Sequence, residues 1–326
     1  MSIGKKAIIL AFCILLSAQI LFAQTNWVGN RVKDSKDLVA VYFTSSDRGF
    51  IAGDDGYLSV TNDGGKTWTK QPINTKENIS EIYFRNDDNG YLVAGTDLFI
   101  TKDRGQSWQK TVIFNQNEFR GVTPEFLSIR FADKRLGFVI GSVLKTVGKD
   151  VRVVDSFVMR TNNGGETWNR VIVPTKVELF HLDFVDNSSG WIVGGSGLIL
   201  TTTDSGLNWQ VQRSNTKKDL YNVDFRDENN GFAVGDEGII LRTENGGENW
   251  TSVRTGFPNT FLRVDFADDK NGWIVGLGGT ILRSSDKGKS WIKQESNTSE
   301  NLYGLFMSKK YGWAVGAKGL ILKYQK

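Results

Sequence analysis

The sequence predicts an all-β fold: a seven-bladed β-propeller with four antiparallel strands per blade, its last blade closed by the N-terminal strand. Three observations carry that expectation. Trp27, Trp68, Trp108, Trp168, Trp209, Trp250 and Trp291 are spaced 41, 40, 60, 41, 41 and 41, a period of 41 with one insertion. A second series, each member a glycine followed by an aromatic, runs in step through Phe50, Tyr91, Phe138, Trp191, Phe232, Trp273 and Trp313, seven members in all. Within each period, four short apolar runs are divided by turn residues, which is the pattern of a propeller blade.

Taken in chain order, residues 1–23 read as a secretory signal. Lys5 and Lys6 precede an apolar run from Ala7, and Leu21-Phe22-Ala23 precedes Gln24. Residues 24–326 then form one domain, expected to be periplasmic or extracellular. The leader holds Cys13, the one cysteine, so the exported chain has no thiol and no disulfide. A lipidated Cys13 is the weaker alternative, because Phe12 stands where a small residue is wanted. Trp27 lies one period before Trp68 with no preceding strands of its own, whereas the last repeat, Leu302 to Tyr324, has three strands and stops short of its Trp. Six whole blades plus one shared between the termini make seven, and sharing removes the exposed edges of an open ring. The blade pattern is clearest where Leu220 to Phe225 alternates as a first strand, Phe232 to Gly235 follows, Ile239 to Thr243 is a third and Asn249 to Val253 a fourth. Pro72, Pro124, Pro174 and Pro258 all fall between a fourth strand and the next first strand, where no ladder donor is lost.

Between third and fourth strands recurs Ser or Thr, any residue, Asp or Asn, any residue, Gly, two more residues, then Trp. The copies carry Asp63, Asp103, Asn163, Asp204, Asn245 and Asp286. The pattern reads as a structural hairpin turn: the side-chain oxygen accepts backbone N–H groups, glycine takes a positive φ, and the Trp ring packs between blades. A calcium loop at Asp63 or Asp204 is disfavoured, since no copy supplies enough carboxylates.

Gly-Trp-x-Val-Gly, Gly-x-Ile-Leu and this Asp-box together, as in Gly190 to Trp209 and Gly272 to Trp291, resemble the photosystem II stability and assembly factor family of cyanobacteria and chloroplasts. The resemblance covers essentially the whole exported chain. It implies a non-enzymatic, seven-bladed binding scaffold outside the cytoplasm, holding a protein partner such as an integral membrane subunit or its exposed segment. The Asp-box also occurs in sialidases, sortilin-type receptors and some xyloglucanases, so the alternative is a glycan-binding or sialidase-like hydrolase propeller.

Composition narrows the chemistry. A net charge of +4, falling to about +2 without the leader, is too small and dispersed for nucleic-acid binding. One histidine nearly excludes His-rich zinc sites and His-based triads. No catalytic residue, metal or cofactor is expected, and no stretch after the leader is long enough to span a membrane. A monomer is expected. A sialidase would need an arginine cluster, yet Arg130 and Arg263 are the only inner-strand arginines at aligned positions, and no Arg-Ile-Pro sequence occurs.

Two regions are candidate partner sites. The third positions of the innermost strands vary while their neighbours stay apolar, and Glu81, Arg130, His181, Asn222 and Arg263 make a polar channel mouth, Arg130 from a fifth position. Asp183, Asp224 and Asp265 repeat at that fifth position, as blade-to-blade hydrogen bonds would require. The two departures from the period, 112–125 and 142–156, emerge on one face beside blade three. The second reads as a hairpin extension offering Lys145, Lys149 and Arg152 to the partner.

Overall fold

The computed structural model describes residues 26–34 and 36–325; the expected leader at 1–23 and Cys13 lie outside the described residues. Seven four-stranded antiparallel sheets form the blades, each running from an inner to an outer strand in chain order. Blade five is representative, with strands Leu220–Phe225, Gly231–Gly235, Ile240–Thr243 and Thr251–Ser252. The exception is blade seven, where Trp27–Arg31 lies outside Leu320–Tyr324, pairing Trp27 with Tyr324 through to Arg31 with Leu320. The N-terminal strand therefore closes the ring.

The core is a set of wedges between neighbouring blades rather than one central mass. Phe232, Val234 and Ile240 of blade five, for example, pack on Phe261, Val264, Ile274, Leu282 and Trp291 of blade six. The second strands are buried on both faces, which is why they read as continuous apolar runs flanked by glycine. At the junction of blades seven and one, Phe43 stacks on Trp313 with centroids 3.5 Å apart and planes 11° from parallel; such pairs contribute about 0.5–1.5 kcal/mol beyond their buried area.

Each Asp-box is a hydrogen-bonded turn. Thr61 Oγ1 donates to Asp63 Oδ1 (2.8 Å) and accepts from Gly65 N (2.9 Å), while Asp63 Oδ1 accepts Thr67 N at 2.9 Å. Asp103, Asn163, Asp204, Asn245 and Asp286 repeat that last bond at 2.9–3.0 Å. Gly105 shows why glycine is needed: its φ is +76°, and a Cβ there would meet the Phe50 ring at 2.6 Å. The following Trp108 stands edge-on to Phe50 of blade one and Phe84 of blade two.

Blade three departs from the repeat in two ways. Its second and third strands, Gly137–Val147 and Asp150–Thr161, continue past the ring as a two-stranded ribbon, paired from Leu144–Val153 to Val147–Asp150 around a turn in which Gly148 has φ +65°. Its inner strand, Thr123–Phe131, is lengthened to match and includes Pro124, opposite Val143. The proline therefore does not fall between strands as its spacing suggests; an innermost strand is a sheet edge, so a residue without N–H fits there. The preceding insertion is a cover rather than a bare loop. Its 3₁₀ turn, Gln116–Phe119, buries Phe119 against Phe157, and Phe114 packs edge-on to Phe119, Phe126 and Phe157.

Candidate functional site

Every inner strand shifts register once: between its first and third residues in six blades, as at Leu38/Ala40, Leu220/Asn222 and Phe261/Arg263, and at the equivalent Phe126/Ser128 in the lengthened strand of blade three. The bulge leaves the second residue outside the ladder and aims the third and fifth into the channel. All of them except Ser128 line a cavity of about 240 Å³.

The third and fifth positions also stitch blade to blade. From the third position, Glu81 Oε2 accepts Ile129 N at 2.7 Å and Asn222 Oδ1 accepts Val264 N at 3.0 Å, each on the next blade. His181 Nδ1 lies 3.5 Å from Val223 N. From the fifth, Tyr42 and Tyr83 hydroxyls donate to the carbonyls of Phe84 (3.0 Å) and Phe131 (3.1 Å). Asp183, Asp224 and Asp265 accept the N–H of Phe225, Phe266 and Met307 at 2.8, 3.2 and 2.7 Å. The repetition of aspartate at this phase is thus a hydrogen-bonded seam.

The five channel residues share this cavity, and three of them touch. Arg130 pairs with Glu81 and lies 2.8 Å from His181 Nε2 through Nη2. It also sits over the Tyr83 ring, 5.1 Å from the centroid. Burial pulls Arg130 down, but Glu81 and Asp183 outweigh it and hold the guanidinium more firmly charged than usual. Burial, reinforced by Arg130 and Arg263, holds His181 well below the ordinary histidine range, so the imidazole is neutral. Arg263 is different: its Nη1 donates to Leu262 O at 2.8 Å, and among the described residues it makes no ion pair. Burial pushes Asp183 up to about 6 and Asp265 up to about 7, and Asp224 well above the carboxylate range.

Lys145, Lys149 and Arg152 lie elsewhere, exposed on the ribbon. Lys145 is opposite Arg152 across the strands, and Arg152 reaches Asp150 at 3.6 Å. No hydrogen bond or ion pair joins them to the channel residues. The Asp-box residues are on the opposite face, between third and fourth strands. Among the described residues no group of His, Cys, Asp and Glu is placed to hold a metal ion, and no helix is long and apolar enough to cross a membrane.

Sequence reasoning missed the second positions. Val39, Leu127, Phe180, Tyr221, Leu262 and Tyr303 are half-buried at the bulges, where blade two has Ser80; Val39 and Ser80 line the channel cavity, and the Phe180 and Tyr221 centroids are 5.0 Å apart. The signal was present: apolar residues at positions one, two, four and six break strict alternation, as a bulge requires.

Comparison with known proteins places this geometry. The profile of the photosynthesis system II assembly factor YCF48 matches residues 21–110, 160–258 and 254–325, leaving out most of blade three. No curated protein matches the chain. Among solved structures, YCF48 bound to D1 peptide is 19% identical, with TM-score 0.75, covering 93% of this chain and 96% of that one. YCF48 from Cyanidioschyzon merolae is also 19% identical, with TM-score 0.72 and coverage of 92% and 98%. A catalytically inactive virginiamycin B lyase from Staphylococcus aureus with quinupristin shares the fold at 10% identity, with TM-score 0.73 and coverage of 91% and 98%. With the profile matching well over half of its length, the chain belongs to the photosystem II assembly factor YCF48 family.

Proposed function

We propose that this chain is an exported, non-enzymatic scaffold that holds an acidic or carboxylate-ended segment of a protein partner on the loop face of the propeller, such as the exposed part of an integral membrane subunit. The leader-like pattern at 1–23 supports export to the periplasm or beyond. The observation that carries the binding reading is Arg263. It is the channel guanidinium that forms no ion pair among the described residues, whereas Arg130 is engaged by Glu81 and His181. In the same cavity Val39, Val264, Leu305 and Phe306 add apolar contact beside the charged groups, the usual make-up of a site that fixes a segment's orientation. Peptide binding by a family member in a solved complex supports the same reading.

A second reading, a glycan-binding or sialidase-like hydrolase, draws on the raised Asp183 and Asp265, since a carboxyl that titrates near 6 or 7 suits a general acid. Against it, Asp183, Asp224 and Asp265 each already accept an N–H of the next blade.

The test is affinity capture from the host's own membranes, with the intact protein and Arg263→Glu side by side. Recovery of one membrane subunit by the wild type, reduced about tenfold in the variant and less so at high salt, supports the reading. Equal recovery by both proteins, or recovery of polysaccharide, overturns it.

A further inference from the structure

The ribbon of blade three has a property that no other blade shares. Its third strand runs twelve residues, Asp150–Thr161, and is paired along its length by the second strand. On its outer side the fourth strand is only Asn169–Arg170, pairing with Met159 and Arg160, followed by Val171 N donating to Val158 O. Ser156 is buried, its hydroxyl donating to Val177 O. Residues 150–155 are left with an outer backbone edge that no other strand covers. Such an edge is a ready template for strand pairing. Three of its six residues are the β-branched Val151, Val153 and Val154, and Val151 is 61% exposed.

The two faces of the ribbon differ in chemistry. The pairing Leu144–Val153 and Thr146–Val151 sets apolar and β-branched side chains on one face, and Lys145–Arg152 sets two cations on the other beside the Val147–Asp150 pair, Asp150 lying 3.6 Å from Arg152. Residues 144–155 carry Lys145, Lys149 and Arg152 against Asp150 and Asp155, a net +1, and Asp155 is itself paired with Arg170 at 2.7 Å.

We propose that the outer edge of residues 150–155 accepts an extended segment of a partner protein as an added strand, with acidic residues alternating with apolar ones. Main-chain bonds to the free edge supply the pairing, and the alternation follows from a strand's two-residue period. Apolar side chains then lie beside Val151 and Val153, and carboxylates beside Arg152 and Lys145. The family profile passes over this part of the chain, so the contact is one that this protein adds to the common ring. The inference rests on the scaffold reading above but uses a different surface from the channel.

The probe is a labelled ten-residue peptide of alternating valine and glutamate, followed by fluorescence anisotropy and by amide hydrogen exchange of the full-length Arg263→Glu protein, whose channel no longer attracts an acidic segment. Expected are saturable binding, slowed exchange confined to 150–155, and a loss of roughly tenfold or more when every second peptide amide is N-methylated, because the ladder is then blocked. The double variant Lys145→Glu, Arg152→Glu should weaken binding by about tenfold at low salt and less at high salt. The wild-type protein should show the same protection of 150–155, which separates this site from the channel. Equal binding of the N-methylated peptide, binding that survives replacement of 144–154 by a tight turn, or no binding at all would overturn the proposal. So would a free protein that sediments as a dimer with 150–155 already protected, since a second copy would then occupy the edge. If the ribbon-less protein still captures its membrane partner while the peptide result fails, the scaffold reading stands and this one falls.

Discussion

Asp265 and Asp103 are both single carboxylates in a repeated position, and pH separates them. Ser107, through its hydroxyl and then its N–H, holds Asp103 at about 2. That is a depressed folded-state value, so its contribution is present above the unfolded value of about 4 and is lost as pH falls toward 2. Because the box is exposed, the effect is small. Burial raises Asp265 to about 7 and Asp183 to about 6. Here the sign reverses: the folded state favours the protonated form, and stability is lost as pH rises from about 4 through 7. Asp265→Asn keeps an oxygen to accept Met307 N while removing the charge. It should therefore raise the melting temperature at pH 8, by about 2–4 °C for each kcal/mol recovered, and do nothing at pH 4. Asp103→Asn should instead be near neutral at pH 7, since Asn163 and Asn245 already fill two boxes. Scanning calorimetry of both variants at the two pH values checks this; a lower melting temperature for Asp265→Asn at pH 8 would show that the carboxylate is needed charged.

At the scale of elements, the repeat was legible because blades are local. The Trp period and the glycine–aromatic series report contacts within about forty residues, the strand missing after Tyr324 left a place that Trp27–Arg31 fills, and the hairpin at 143–154 is paired around a glycine turn. What was not legible depends on neighbours across a seam. The pairing of Glu81 with Arg130 and His181 joins three blades, and nothing in any one strand announces it. The inclusion of Pro124 in a strand, and the folding of 112–122 over Phe157, follow from the lengthened blade three needing both an inner partner and a cover. The ribbon beyond Val143 needs neither. Val143 and Ser156 are buried, but 144–154 are half-buried or exposed. Replacing 144–154 with a two-residue turn should leave circular dichroism unchanged and shift the melting temperature by no more than about 2 °C, as a loop change of low entropic cost does. A drop of 5 °C or more would mean that the ribbon supports the ring.

For the whole molecule, stability depends on the last blade being completed. Trp27 is 1% exposed, packs against Tyr324 with centroids 5.3 Å apart, and joins the wedge that includes Trp273 and Leu302. Deleting residues 26–33 removes that ring and an entire strand from blade seven. Loss of a buried tryptophan alone costs about 3–5 kcal/mol, so thermal unfolding of the truncated protein should move down by 10 °C or more. An unchanged midpoint would show that the closing strand contributes shape but little energy.

Because Trp27 faces Tyr324 and the pairing runs inward to Arg31 and Leu320, both chain ends leave the clasp at the same corner; Gln325 N even donates to Asn26 O at 2.6 Å. A load applied between the two termini therefore does not pull along the strands, with five residue pairs resisting together. It peels them like a zip, one pair at a time, starting at the outermost. Along the line its own chain ends define, the clasp thus yields one pair at a time, and a tether at one end alone would leave that line unloaded.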